Sequence, residues 1–480
     1  MSQHNSHSWR SFFLGAGLSV SILSLTAAGV TAAASRYEDL ALFTSVLSHV
    51  RSSYVESVDE HDLLIGALNG MLQELDPHSG FLDDDAYREM QVDTRGEFHG
   101  LGIEITKRQG EPIEVVSPID GTPADRAGIR ARDRIVMICP TERPEDWTED
   151  CRGTKNMSLL EAVHLMRGRK GSEITIHILR KDFDEPRPFT VVRDVVKLDS
   201  VDGKLLEPGY AYLRISAFQE RTDQELRDIL EEIRVEDAKG RAGEADENGG
   251  EALKGLIVDL RDNPGGLLDQ AVKIADVWLN EGIIVYTQGR EESQRQDYIA
   301  SAEGTQPDYP VVVLVNEGSA SASEIVAGAL QDHQRALVLG TETFGKGSVQ
   351  TVYQLEGGAA LRLTTALYYT PSGRSIQETG IRPDINVERV PVAAANQGDR
   401  RHLRERDLEG HFTQEEADPD SSTDEDPKAD DVEEEPVDQQ LDRGLEVLKS
   451  WRYFDRLRGE RGEPREPVAE PQTAVLRLDD

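Results

Sequence analysis

YPVVVLVNEGSASASEIVAGALQDHQRALVLGTETFGKGSVQ, Tyr309 to Gln350, is the stretch that decides the fold. Val311 to Val315 is an unbroken run of valine and leucine, the composition of a short strand buried on both faces. Asn316 to Ser319 reads as a turn, and Ala322 to Leu330 carries small and apolar residues at helical spacing. Ala336 to Gly340 repeats the buried-strand pattern, and Thr341 to Gly347 is a glycine-containing loop. The order is strand, turn, helix, strand, loop, with Ser321 where the helix begins and Lys346 in the loop after the second strand.

That order can build a serine nucleophile. A hydroxyl at a helix N-terminus lies beside unpaired backbone N–H groups that can stabilise a developing oxyanion. The serine needs a base, and a lysine serves if burial keeps its amine neutral. Spacing alone leaves other readings open. Ser321 and Glu324 are spaced as a capping box, Ser319 or Ser323 could equally carry the active hydroxyl, and a lysine in a glycine loop is usually solvated. Gly340 to Lys346 also fits most of a phosphate-binding loop. Two departures argue against nucleotide binding: Gly347 stands where a hydroxyl should follow, and Ser348 to Leu355 reads as strand where such a loop needs a helix.

With GSASASEI (Gly318 to Ile325) and FGKGSVQ (Phe344 to Gln350) stand DLRDNPGG (Asp259 to Gly266), LDPHS (Leu75 to Ser79) and HGLGIEI (His99 to Ile105). In this order, over about Tyr37 to Val387, the chain resembles the carboxyl-terminal processing proteases, also called tail-specific proteases, which use a Ser/Lys dyad and carry a PDZ domain. The resemblance implies Ser321 as nucleophile, Lys346 as general base and Gln350 as the residue positioning that lysine. It selects Ser321 over Ser319 and Ser323. It implies an oxyanion hole made by the N–H of Gly265 or Gly266 with that of Ala322. It implies capture of a substrate C-terminus by the loop of Gly100, Leu101, Gly102 and Ile103, where glycines let backbone N–H groups approach a carboxylate and the peptide adds as a strand. The family also suggests homo-oligomer contacts from the N-terminal helices and, as a possible partner, a helical-repeat lipoprotein adaptor.

Composition narrows the partners. A formal net charge of −37 argues against nucleic acid. Glu415 to Glu435 holds 12 acidic residues and one lysine, a local net of −11. After Arg10 the chain runs uncharged from Ser11 to Ser35 and ends in small residues, the pattern of a secretory signal peptide, with an uncleaved anchor as the alternative. Either places the protein outside the cytoplasm, in the periplasm, free in the first case and membrane-anchored in the second. In that setting Cys139 and Cys151, the only cysteines, are expected to form a disulfide. No metal site and no cofactor are expected.

The expected organisation is a signal peptide over 1–34, a helical region over 35–95, a PDZ domain over 96–196, and a protease core over 197–390. An acidic disordered linker over 391–436 and a C-terminal helix and tail over 437–480 follow. Within the core, Thr222 to Arg234 reads as a helix opened by a Thr222–Glu225 capping box, and Glu236 to Glu251 as a surface insertion. His78 invites a catalytic reading, but a histidine after a helix-ending proline more readily packs or caps. Leu441, Leu445, Leu448 and Trp451 form one apolar stripe, for the chain's own core or for an oligomer contact. The fold class is α/β: a mixed-sheet Ser/Lys protease core with an inserted PDZ domain and flanking helical segments. The activity expected is that of a serine endopeptidase which reads substrate C-termini and cleaves exported proteins. The rival readings are a non-catalytic PDZ scaffold or chaperone and a crotonase-like acyl-CoA enzyme.

Overall fold

The computed structural model describes residues 38–108, 110–141, 147–240, 253–388, 404–408, 410–412 and 438–461, with side chains as far as residue 451 in the last helix. It divides into two units, up to Glu74 and from Leu75 onward. In the first unit a helix over 38–53 is followed by the helix Glu60–Gln73, whose N-cap Asp59 accepts from the N–H groups of His61 and Asp62. Leu40, Leu42, Phe43 and Val46 on the first helix, and Leu64, Leu68 and Met71 on the second, are exposed. Among the described residues no helix is long and apolar enough to cross a membrane.

The second unit is built on a six-stranded sheet in the order Val201–Glu207, Tyr210–Ile215, Gly255–Asp259, Val311–Val315, Ala336–Gly340, Ile385–Asn386. The first pair is antiparallel and every other pair parallel. Its central strands show no polar alternation because both faces are covered. Leu256, Val258, Val311, Val313 and Val338 face a large core with the helices Thr222–Gly240, Leu268–Asp276 and Ala322–Asp332. Ile257, Val312, Leu314 and Leu339 face the other way and meet Leu448 of the C-terminal helix Gln439–Arg461. A second, antiparallel sheet contains Gly80–Leu82, Ala360–Tyr369, Ile283–Gly289 and Gln296–Ile299, with Ser348–Gln354 also paired to Ala360–Tyr369. The protease core is therefore mixed α/β.

The PDZ sheet runs Ile103–Thr106, Ile113–Pro118, Arg134–Pro140, Glu173–Leu179, Arg187–Val192. The chain enters and leaves this domain through one antiparallel pair, Glu97–Gly100 with Asp194–Lys197. Ser158 caps the helix Leu159–Met166 by accepting the Glu161 N–H at 3.0 Å, while the Glu161 carboxylate turns to Arg152. The long connection after Arg134–Pro140 is held at both ends: Cys139 and Cys151 are disulfide-bonded, and Trp147 and Met157 are buried in the PDZ core.

Three details depart from the sequence expectations. The helix expected over Thr222 to Arg234 continues to Gly240, into the expected surface insertion. Its buried stripe of Leu226, Leu230 and Ile233 ends in the buried Asp237, which accepts the Gly209 N–H at 2.7 Å and keeps the last turn seated. Thr222 and Glu225 do not cap that helix; both bond Ser200, on the entry to the edge strand. Part of the segment expected as disordered linker is also ordered: 404–408 and 410–412 lie against the protease loops, with Glu405 fully buried. Residues 391–403, 409 and 413–436 of that segment lie outside the described residues.

The C-terminal helix packs on the chain's own sheet, and a buried polar cluster fixes where it starts. Arg261 donates to Asp259 on the core strand and to Asp438 and Gln440 at the beginning of the helix. Leu448 is fully buried there. Leu448→Ala should lower the free energy of unfolding by about 2–5 kcal/mol, the usual cost of a core leucine cavity. Urea denaturation checks this, and an unchanged midpoint would mean that the helix is peripheral.

Candidate active site

The turn after Val311–Val315 is stitched to the turn after Gly255–Asp259. Ser319 Oγ accepts the Asn316 N–H at 3.0 Å and donates to Leu260 O at 2.8 Å. The Ala320 N–H donates to Asn263 O at 3.0 Å, and so does Ser323 Oγ at 3.0 Å. Ser319 and Ser323 are thus fully buried structural hydroxyls. Ser321, between them, donates to no backbone carbonyl among the described residues. Its hydroxyl meets the phenol of Tyr368, which burial pushes up to about 12 while the Ser321 hydrogen bond pulls the other way. Ser321 sits at φ 55° and ψ −109°, a left-handed conformation that costs a residue with a Cβ and recurs at functional sites.

Glu324, three residues on and fully buried, joins this turn to the loop of Lys346. Its Oε2 accepts the Ser321 N–H at 2.8 Å and the Lys346 N–H at 3.0 Å. Its Oε1 accepts the Gly345 N–H at 2.7 Å and the Thr343 hydroxyl. Burial pushes this carboxyl up to about 7 against the pull of those four donors. One acid therefore anchors the backbone of both candidate dyad residues. The capping box that spacing suggests for Ser321 and Glu324 is present; spacing did not show that the same carboxylate also takes donors from the loop of Lys346.

Lys346 leads into the hairpin of Ser348–Gln354 and Ala360–Tyr369, and the Gly347 carbonyl accepts the Tyr368 N–H at 2.7 Å. The Lys346 amine has no hydrogen bond or ion pair among the described residues. Burial is the largest influence on it and lowers its pKa; Arg362 lowers it further, while Glu405, Glu324 and Asp76 act in the opposite direction. Glu342, close in sequence, points instead to Arg404 and Arg406. The Gln350 amide donates to Ser348 Oγ at 3.0 Å and Thr364 Oγ1 at 3.4 Å, so it steadies the hairpin and shares no hydrogen bond with the Lys346 amine.

Gly265 lies against the serine turn: a Cβ there would stand 2.9 Å from Ser321 Cβ and 3.0 Å from Ala322 N. Its own N–H is taken by Asn263 Oδ1 at 2.9 Å. The N–H groups of Gly266 and Ala322 have no partner among the described residues. In the PDZ domain, Gly100 closes the entry strand and Ile103 opens the edge strand Ile103–Thr106. Between them, the N–H groups of Leu101 and Gly102 have no partner among the described residues, while their carbonyls accept from Ala124 and Ile119. Gly102 is at φ 77°. Cys139, Cys151 and His177 bring donor atoms within 4.8 Å of one another, but both sulfurs are used in the disulfide.

Comparison with known proteins finds matches over most of the chain. Residues 209–387 match Peptidase family S41, residues 89–179 the PDZ domain, and residues 19–86 the activating protease CtpB N-terminal domain. A carboxy-terminal-processing protease of Bartonella bacilliformis is 43% identical over 400 residues, 83% of this chain and 86% of that protein. A carboxyl-terminal-processing protease of Synechocystis is 37% identical over 335 residues, 68% of this chain and 72% of its own. The crotonase-like and scaffold readings are set aside: the chain belongs to the carboxy-terminal-processing proteases, serine peptidases that carry a PDZ domain.

Proposed function

We propose that Ser321 is the nucleophile and Lys346 the general base of this serine peptidase. The observation that carries the reading is the contrast among the three serines. Ser319 and Ser323 give their protons to backbone carbonyls, while the Ser321 hydroxyl has no backbone acceptor among the described residues and meets the Tyr368 phenol. Lys346 is the basic side chain whose loop shares the Glu324 carboxylate with Ser321, and its lowered pKa favours the neutral amine. In the proposed cycle the amine takes the Ser321 proton as the hydroxyl attacks the peptide carbonyl. The N–H groups of Ala322 and Gly266 hold the oxyanion, and the protonated lysine then gives its proton to the leaving amine. Water attacks the acyl-enzyme by the same route in reverse. Gln350 acts by stiffening the hairpin behind the base.

The PDZ domain supplies selection. The free N–H groups of Leu101 and Gly102 suit a terminal carboxylate, and the outer edge of Ile103–Thr106 suits an added peptide strand. The exposed apolar residues of the first unit suit contact with a second copy of the chain. The uncharged run from Ser11 to Ser35, outside the described residues, supports export to the periplasm as the place of action.

Two outcomes are expected. Purified Lys346→Arg should cleave an unfolded substrate no faster than Lys346→Ala, because arginine keeps its proton. Wild-type activity should climb with pH through one ionisation below the ordinary lysine range, since a lowered pKa lets the neutral base appear at lower pH. Substantial turnover by Lys346→Arg would remove lysine from the mechanism. Separately, a Cβ at Gly102 would stand 2.4 Å from Thr122 Cβ, so Gly102→Val must displace the loop. It should raise KM for a protein with an apolar C-terminal tail by roughly tenfold, the worth of one charge-assisted hydrogen bond, with kcat unchanged. An unchanged KM would assign the PDZ domain another role.

A further inference from the structure

The ordered segment 404–408 and 410–412 lies beyond the strands of the protease core, yet it reaches the loop of the candidate base by three routes. The Glu405 N–H donates to Phe344 O at 3.2 Å, and Arg404 pairs with Glu342. The Glu405 carboxylate, fully buried, accepts Gln377 Nε2 at 3.0 Å, and Gln377 Oε1 accepts the Gly347 N–H at 2.9 Å. His411 pairs with the side chain of Glu378, whose N–H donates to Gly345 O at 2.9 Å. Both neighbours of Lys346, Gly345 and Gly347, are therefore held by the turn of Gln377 and Glu378, and this segment backs that turn. His78 closes the arrangement from a third element, with Nε2 at 2.8 Å from both oxygens of Glu405.

We propose that the described residues 404–408 and 410–412 form a strap belonging to the catalytic apparatus, in which Glu405 is a positioning residue for the loop that carries Lys346. The proposal rests on Lys346 being the base. Glu405 aligns the loop through Gln377 and also places a negative charge near the amine. The charged groups that face Lys346 are Arg362 from the hairpin, Glu324 from the helix Ala322–Asp332, Asp76 from the turn before Gly80–Leu82, and Glu405 from the strap. His78, Gln377 and Lys346 in turn act on Glu405, and Glu405 acts on His411. In this arrangement the histidine of LDPHS serves to seat the strap.

The test uses the full-length protein and two substitutions. Glu405→Gln keeps the shape and removes the charge. It should move the midpoint of the kcat–pH profile to lower pH, because a neighbour favouring the protonated amine is gone. Glu405→Ala unseats Gln377. It should lower kcat by roughly ten- to a hundredfold, as small misplacements of a catalytic group do, with KM for an apolar-tailed substrate unchanged. If Glu405→Ala fails to fold, the Glu405→Gln profile still decides. A Glu405→Gln midpoint coincident with wild type, or wild-type kcat in Glu405→Ala, overturns the strap while an inactive Lys346→Arg leaves the dyad standing. An active Lys346→Arg overturns both.

Discussion

A buried carboxylate with four donors around it is the constraint on which the site depends. Taking the Glu324 carboxylate out of water is costly, and the three backbone N–H groups and the Thr343 hydroxyl are what offset the cost. The donors come from two places that the chain separates by a helix and a strand: the serine turn, and the loop from Thr343 to Lys346. Neither place could satisfy the acid alone. The same interaction explains the strained backbone of Ser321, since its N–H must turn back toward Oε2 while the helix Ala322–Asp332 departs in its own direction.

Around that acid, two sheets divide the labour. The six-stranded sheet ends its strands Gly255–Asp259 and Val311–Val315 in the two turns that present Gly266 and Ser321. The antiparallel sheet brings the hairpin that supplies Lys346 and Tyr368. The apolar contacts are continuous across this junction, with Ile325, Val326, Tyr368 and Ile376 in one cluster. A shift of the hairpin relative to the helix would thus be resisted by packing as well as by Glu324.

Much of this was legible in the sequence, and the exceptions share a cause. The core strands declared themselves because strands covered on both faces are runs of valine, isoleucine and leucine. The choice among Ser319, Ser321 and Ser323 could not be made from spacing, because the acceptors that consume the outer two are Leu260 O and Asn263 O, about sixty residues away. Glu405 reads as solvated within HLRERDLEG, where Arg404 to Asp407 are four consecutive charged residues, and His78 and Gln377 make its burial tolerable. The helix through Gly240 outran its pattern for the same reason, since Asp237 looks like a surface residue until Gly209 is placed beside it. Local pattern recovered the elements, and the polar partners that distinguish residues of like pattern lie far along the chain.

The entry and exit of the PDZ domain are neighbouring strands, with Glu97 opposite Lys197 and Gly100 opposite Asp194. Residues opposite each other in an antiparallel pair lie only about 5 Å apart at Cα. The core therefore sees the whole inserted domain as one short connection. That makes the recognition module exchangeable in principle: another compact fold with adjacent termini can be spliced at the same two strands. The specificity of the peptidase becomes a replaceable part, one that natural recombination or protein engineering can swap while the catalytic centre stays intact.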